Sequence, residues 1–193
     1  MTVTIGKGEH TYRFVENWAK LPDGWEFMDV GAVACDSKDR VYVFNRGAHP
    51  MMVFDRDGNF IKTWGGKGKG PGQFDLPHSL VFDAQGLLYI ADRNNARIQV
   101  FDAEGNYIRE SAHPGAPCGL FMGADQHIWL AHGHTGHVMK LDLNGNVVGV
   151  IEGGGPGKTT GKYGEAHYIA VSPRDEIFVA DTLNWRIQKY VRK

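Results

Sequence analysis

Apolar and polar positions alternate along this chain in short bursts, each closed by Gly, Asp or Asn. The stretch from Gly70 to Phe101 shows the unit most completely. A Gly-Pro-Gly turn leads to Pro77-His78, and an apolar run, Leu80-Val81-Phe82, ends at Asp83 before the turn Ala84-Gln85-Gly86. Leu87 to Ala91 follows, then a polar loop, Asp92-Arg93-Asn94-Asn95, and a third run, Arg97 to Phe101. The turn Ala103 to Asn106 delivers a fourth run, Tyr107 to Glu110. Short β-rich segments divided by turn formers predict strands in an antiparallel meander. Helical periodicity is absent over any useful length.

The unit recurs. In PHSLVFD and VGAVACD, Gly31 stands 47 positions before His78, and the same offset pairs Arg46 with Arg93 and Phe54 with Phe101. A third copy lies 40 positions on, with Cys118 under His78, Trp129 under Tyr89 and Leu141 under Phe101. The fourth lies 89 positions on, with His167 under His78 and Tyr190 under Phe101. Units of about 40 to 47 residues with four short strands each are the signature of propeller blades. The expected fold is all-β: one β-propeller over 1–193, with blades at 25–64, 70–111, 115–151 and 163–193. The N-terminal strand 12–18 is expected to complete the last blade and close the ring, because Phe14 to Trp18 resembles Phe60 to Trp64. An open set of blades whose edges pair with a second chain is the alternative.

Composition changes this picture little. Gly 26 in 193 residues suits a chain that turns often. The net charge of −1 nominates neither nucleic acid nor an anionic membrane as partner. The first residues lack a signal-peptide core and no run approaches a membrane span, so the expectation is a cytoplasmic monomer with reduced thiols.

The phrases ADRNNARIQVFD and ADTLNWRIQKY, with GPGQFDLPHSLVFD, resemble NHL repeats, and the spacing of His78 and Arg93 is similar to that in the peptidylglycine α-amidating lyase family. The resemblance spans essentially the whole chain at blade level, its specific motifs only the second and fourth blades. Members of that family usually have six blades, against four copies here. It implies that His78 and His167 stand at zinc-ligand positions and that Arg93 matches an arginine lining the lyase site. The family's third zinc histidine has no histidine counterpart; Gly31 and Cys118 stand at the other two equivalent positions. Its tyrosine base has no aligned counterpart either, although Tyr168 is adjacent.

Blade geometry leads to the same residues independently. The start of a first strand and the end of a second lie at one end of an antiparallel blade, so His78 and Arg93 share a face. In a ring of four, His78 and His167 would face each other across the channel mouth, with Cys118 between them. Two imidazoles and a thiolate form a zinc-type donor set with a fourth position left for water, and binding should weaken as pH falls.

Each residue also has a structural reading. Histidines at these positions can bond loop carbonyls, Cys118 can be a small hydrophobe, and Arg46 and Arg93 can brace loops between blades. The histidines of the third blade, His127, His132, His134 and His137, read as solvated loop residues, with His132, in the slot of Asp92, nearest the channel. Asp36, Asp83, Asp102, Asp142 and Asp181 read as turn carboxylates, Cys35 as buried and inert, and Arg186, Lys189, Arg192 and Lys193 as a solvated basic face.

Two functions fit. One is a zinc-dependent lyase or hydrolase acting on a small carboxylate- or amide-containing substrate, with metal on His78, His167 and Cys118 and with Arg93 as the catalytic arginine. The other is a non-catalytic propeller whose channel face binds a protein or small ligand. Fold alone does not choose between them.

Overall fold

Turn carboxylates close five of the strand-to-strand turns. Asp102 Oδ1 accepts the backbone N–H of Glu104 (2.8 Å) and of Asn106 (2.9 Å), and Oδ2 accepts the Asn106 amide (2.8 Å). Asp36, Asp55, Asp83 and Asp142 bond the N–H groups two and four residues on in the same way. Each reverses the chain within a few residues, as an Asx turn does.

The computed structural model describes residues 4–5, 7–151 and 155–193. β1 (Thr4–Ile5) and β2 (Tyr12–Arg13) form a small hairpin of their own. The first blade contains β3 (Val30–Cys35), β4 (Val41–Asn45), β5 (Met51–Phe54) and β6 (Phe60–Trp64); the second contains β7 (Ser79–Phe82), β8 (Leu88–Asp92), β9 (Arg97–Phe101) and β10 (Tyr107–Ala112). The third contains β11 (Pro117–Met122), β12 (Ile128–His132), β13 (His137–Leu141) and β14 (Val147–Ile151). The fourth has three strands among the described residues: β15 (Ala166–Val171), β16 (Ile177–Asp181) and β17 (Arg186–Tyr190). All pairings within the blades are antiparallel, and the inner strands β3, β7, β11 and β15 contact one another in sequence. The all-β propeller expected from the repeats is the fold observed.

Blades adhere face to face. Tyr42, Phe44, Met51 and Val53 of the first meet Phe74, Leu80, Leu88, Ile90 and Phe101 of the second. Tyr89, Ala91, Ile98 and Val100 then meet Leu120, Ile128, Leu130 and Leu141 of the third. Ala131 and Val138 meet Tyr163, Ala166, Ile169, Ile177 and Val179 of the fourth. Each large side chain so buried contributes about 1.5–3 kcal/mol.

The N-terminal segment does not complete the last blade. After β2 it runs along the first blade, where Trp18 packs on Phe54 (5.7 Å between rings) and donates its indole N–H to the Arg56 carbonyl at 3.0 Å. Lys20 bridges to Asn59, and Trp18, Leu21, Trp25 and Phe27 cover Val43, Met52 and Phe54. The aromatic spacing that suggested an outer strand is used instead to cap a sheet face.

Cys35 is also placed differently from expectation: it is exposed. Its face of β3 points away from the second blade, as does Val33, which is 62% exposed whereas its equivalent Leu80 is 5% exposed. The fourth blade mirrors this. Ile187 occupies the slot of Ile98, yet it is 74% exposed against 2%, because no further sheet among the described residues covers it.

These twin positions give a paired test. Ile98→Ala should destabilise the protein by about 2–5 kcal/mol through cavity formation. Ile187→Ala should change stability by less than about 0.5 kcal/mol. Equal losses in chemical denaturation would contradict the exposure of the fourth blade's outer face.

Candidate functional site

Three side chains from three blades meet where the inner strands begin. His78 precedes β7, Cys118 is the second residue of β11, and His167 the second of β15. One ligand atom from each lies within 4.8 Å of the other two. The imidazoles of His78 and His167 stand 5.2 Å apart at 67°. The residues expected as metal ligands from the repeat register are thus brought together.

Backbone closeness makes this possible. A Cβ on Gly119 would lie 2.7 Å from the His167 carbonyl oxygen and 2.8 Å from Tyr168 Cα. Only a residue without a side chain lets β11 and β15 approach so closely. Gly133, just after β12, leaves room for the Cys118 side chain within the third blade, since a Cβ there would stand 2.9 Å from Cys118 Sγ. Gly119 did not stand out in the sequence, although it fills the slot of Ser79 and Tyr168 in an otherwise side-chain-bearing strand.

The electrostatics favour neutral ligands. Burial lowers the pKa of His78 to about 4, opposed by its bond to the Leu76 carbonyl and reinforced by Arg46, Arg93 and His167. His78 Nδ1 lies 2.8 Å from that carbonyl, so Nδ1 carries the proton and Nε2 keeps its lone pair. Burial also lowers the pKa of His167, with Glu165 opposing and Arg93 and Arg46 assisting. Burial pushes the Cys118 thiol up to about 11, with Arg93 working in the other direction. Without a cation the site therefore holds two neutral imidazoles and a protonated thiol.

Arg93 flanks the cluster, held by Glu165 of the fourth blade at 2.5 Å and lying 3.4 Å from His134 Nε2. Its Nε is buried without a hydrogen-bond partner among the described residues. Glu165 was not singled out from the sequence; the signal was its place two residues before His167. Arg46 donates to the Pro77 carbonyl (3.3 Å) and to Asp29 (2.8 Å), linking the first blade to the second. The hydroxyl of Tyr168 reaches toward the Gly31 and His78 carbonyls, at 3.4 and 3.5 Å.

Other expectations change. His132 does not approach the channel cluster. It is buried, with Nδ1 2.7 Å from Thr135 Oγ1 and Nε2 3.4 Å from the His113 carbonyl. Arg186 is no solvated charge: it pairs with buried Asp181 at 2.8 Å and donates to the carbonyls of Lys158, Thr159 and Lys162. No helix among the described residues is long and apolar enough to cross a membrane.

The family described as DUF5128, 6-bladed beta-propeller, matches residues 22–191. A search of curated proteins returns no match. Among solved structures, a streptogramin B lyase superposes with a TM-score of 0.65 at 14% identity, covering 83% of this chain and 54% of the lyase. A virginiamycin B lyase from Staphylococcus aureus, made catalytically inactive by a histidine-to-alanine replacement and solved with quinupristin, gives 0.63 at 14% identity, covering 83% and 55%. The WD40 β-propeller domain of Doa1 gives 0.62 at 16% identity, covering 81% and 48%. The chain spans about half the length of these structures, and the likeness is one of fold.

Gly119→Ala tests the close approach. The added methyl must push β15 from β11, so the protein should lose about 1–3 kcal/mol. The near-ultraviolet signal of Tyr168 should change with it. Wild-type stability in this variant would mean that the two strands stand further apart than described here.

Proposed function

This chain belongs to the DUF5128 family of 6-bladed β-propellers, and we propose that its functional centre is a divalent metal site on His78, Cys118 and His167. The observation that carries the reading is the convergence of three soft or borderline donors from three blades within 4.8 Å. The donor set fits zinc: two neutral imidazoles and one thiol, with one imidazole oriented through its Nδ1–H on a backbone carbonyl. When bound, such an ion would supply Lewis-acid polarisation of a substrate oxygen or activation of water.

The surrounding residues then define the chemistry. His78 and His167 stay neutral at physiological pH and so remain available as donors. Arg93 and Arg46 put two guanidinium groups beside the cluster, a setting that favours a small substrate bearing a carboxylate or amide. Arg93 binds that group by exchanging its bond to Glu165 for one to the substrate. The activity we assign is that of a metal-dependent lyase or hydrolase. A second reading, a ligand- or protein-binding propeller without turnover, is favoured by one observation: Arg93 is already paired with Glu165.

Metal content separates them. Protein purified without a histidine tag and supplied with zinc at neutral pH should retain one ion per chain. His78→Ala and His167→Ala should each abolish retention. Cobalt substitution should add a sulfur-to-metal charge-transfer band that Cys118→Ser removes. Failure of the folded wild-type protein to retain metal would rule out the metal-dependent reading and leave the binding module.

A further inference from the structure

Arg46 and Arg93 occupy equivalent slots in successive blades, yet their guanidinium groups are bonded differently. Arg46 donates Nε to the Pro77 carbonyl at 3.3 Å and Nη1 to Asp29 at 2.8 Å. Arg93 donates Nη2 to Glu165 Oε1 at 2.5 Å, while its Nε is buried with no partner among the described residues. Nε–H and Nη2–H lie side by side on one edge of the guanidinium plane, the edge that grips a carboxylate through two parallel bonds. Glu165 takes one of the two.

A structural brace is built differently. Arg97 has Nε bonded to Asp92, Nη1 to the Lys69 carbonyl and Nη2 to the carbonyls of Gly70 and Gln73, so no buried donor is left unmade. Five buried side-chain atoms lack partners among the described residues. The Nε of Arg93 alone belongs to a group whose charge acts on His78, Cys118 and His167. Arg93 directly follows β8 in the second blade and Glu165 directly precedes β15 in the fourth, so their contact joins the two blades that flank Cys118. The Glu165 carboxylate has no other partner among the described residues, and the two side chains are 18% and 14% exposed, within reach of a solute.

We propose that Glu165 is an internal latch: its carboxylate stands in for that of a small ligand on Arg93, and the ligand enters by displacing it and bonding both Nε and Nη2. An amide cannot match this, because it offers one oxygen and turns its NH2 donors toward a donor. The latch therefore narrows the ligand class to carboxylates. It also sets their affinity, since each must first replace a bond that the chain already makes. This deepens the metal-site reading and rests on it for any reaction, whereas binding at Arg93 requires no metal.

The test follows the Arg93 Nε–H signal in isotopically labelled full-length protein, identified by its absence in Arg93→Lys, during titration with sodium acetate at constant ionic strength. The signal should shift saturably and exchange more slowly with water, while acetamide leaves it in place. Glu165→Gln should bind acetate about tenfold more tightly, the lower end of what a charged hydrogen bond is worth when the pair keeps some contact with water. Glu165→Ala should bind it at least as tightly, which holds even where glutamine replaces part of the lost bond. A wild-type signal that acetate leaves unmoved, an equal response to acetamide, or equal acetate affinity in wild type and both variants would overturn the latch. The titrations are run on zinc-loaded and on chelator-treated protein, and the ratio should hold in both. Its persistence in protein that retains no zinc would contradict the metal site and leave the latch standing; a ratio confined to zinc-loaded protein would overturn the latch by making the ion the carboxylate's partner.

Discussion

Sheet-on-sheet burial is the constraint from which the rest follows. A twisted blade of four short strands has two apolar faces, and neither can be left in water at no cost. Here three interfaces bury the faces between neighbouring blades in series: Tyr42 and Phe44 against Leu80 and Phe101, Tyr89 and Ile98 against Leu120 and Leu130, Val138 against Ile169 and Val179. Because each interface fixes the angle between neighbouring sheets, it also fixes where the inner strands begin. His78, Cys118 and His167 meet as a consequence of packing elsewhere, and no segment has to fold around a ligand to bring them together.

The same logic accounts for the polar interior. Asp92 and Asp181 are buried, and each is bonded by an asparagine three residues on and an arginine five residues on. Those arginines in turn bond the carbonyls of the loop before the blade, so a buried charge is paired and also ties down an otherwise unsatisfied backbone. Asp92 has its pKa raised, with burial outweighing its hydrogen bonds. Asp181 lies in a more open blade and has its pKa lowered: burial still opposes ionisation, but Asn184, Arg186 and two backbone N–H groups outweigh it. The difference fits the loss of cover over the fourth blade.

Much of this was legible in the sequence, for a physical reason. Repeats transfer geometry by register, so one well-formed unit located the others, and the offsets that aligned Phe101 with Tyr190 also aligned the three candidate ligands. What escaped depended on contacts outside the repeat. Phe14 to Trp18 resembled an outer strand because aromatic spacing suits both strand pairing and capping of a face; the indole bond to Arg56 decided for capping. Cys35 was expected inside because it takes the slot of Phe82; Phe82 packs against Tyr42 of the preceding blade, and among the described residues Cys35 has no such sheet before it. Glu165 and Gly119 act across blades, so their repeat slots locate them without revealing what they touch.

Packing alone brings the two imidazoles and the thiol of the proposed metal site together across three blades. X-ray absorption at the zinc edge of the metal-loaded protein tests it most directly. The account predicts one sulfur neighbour at about 2.3 Å and two imidazole nitrogens at about 2.0–2.1 Å, with multiple scattering from the rings. A shell of oxygen alone, or one without sulfur, would contradict it.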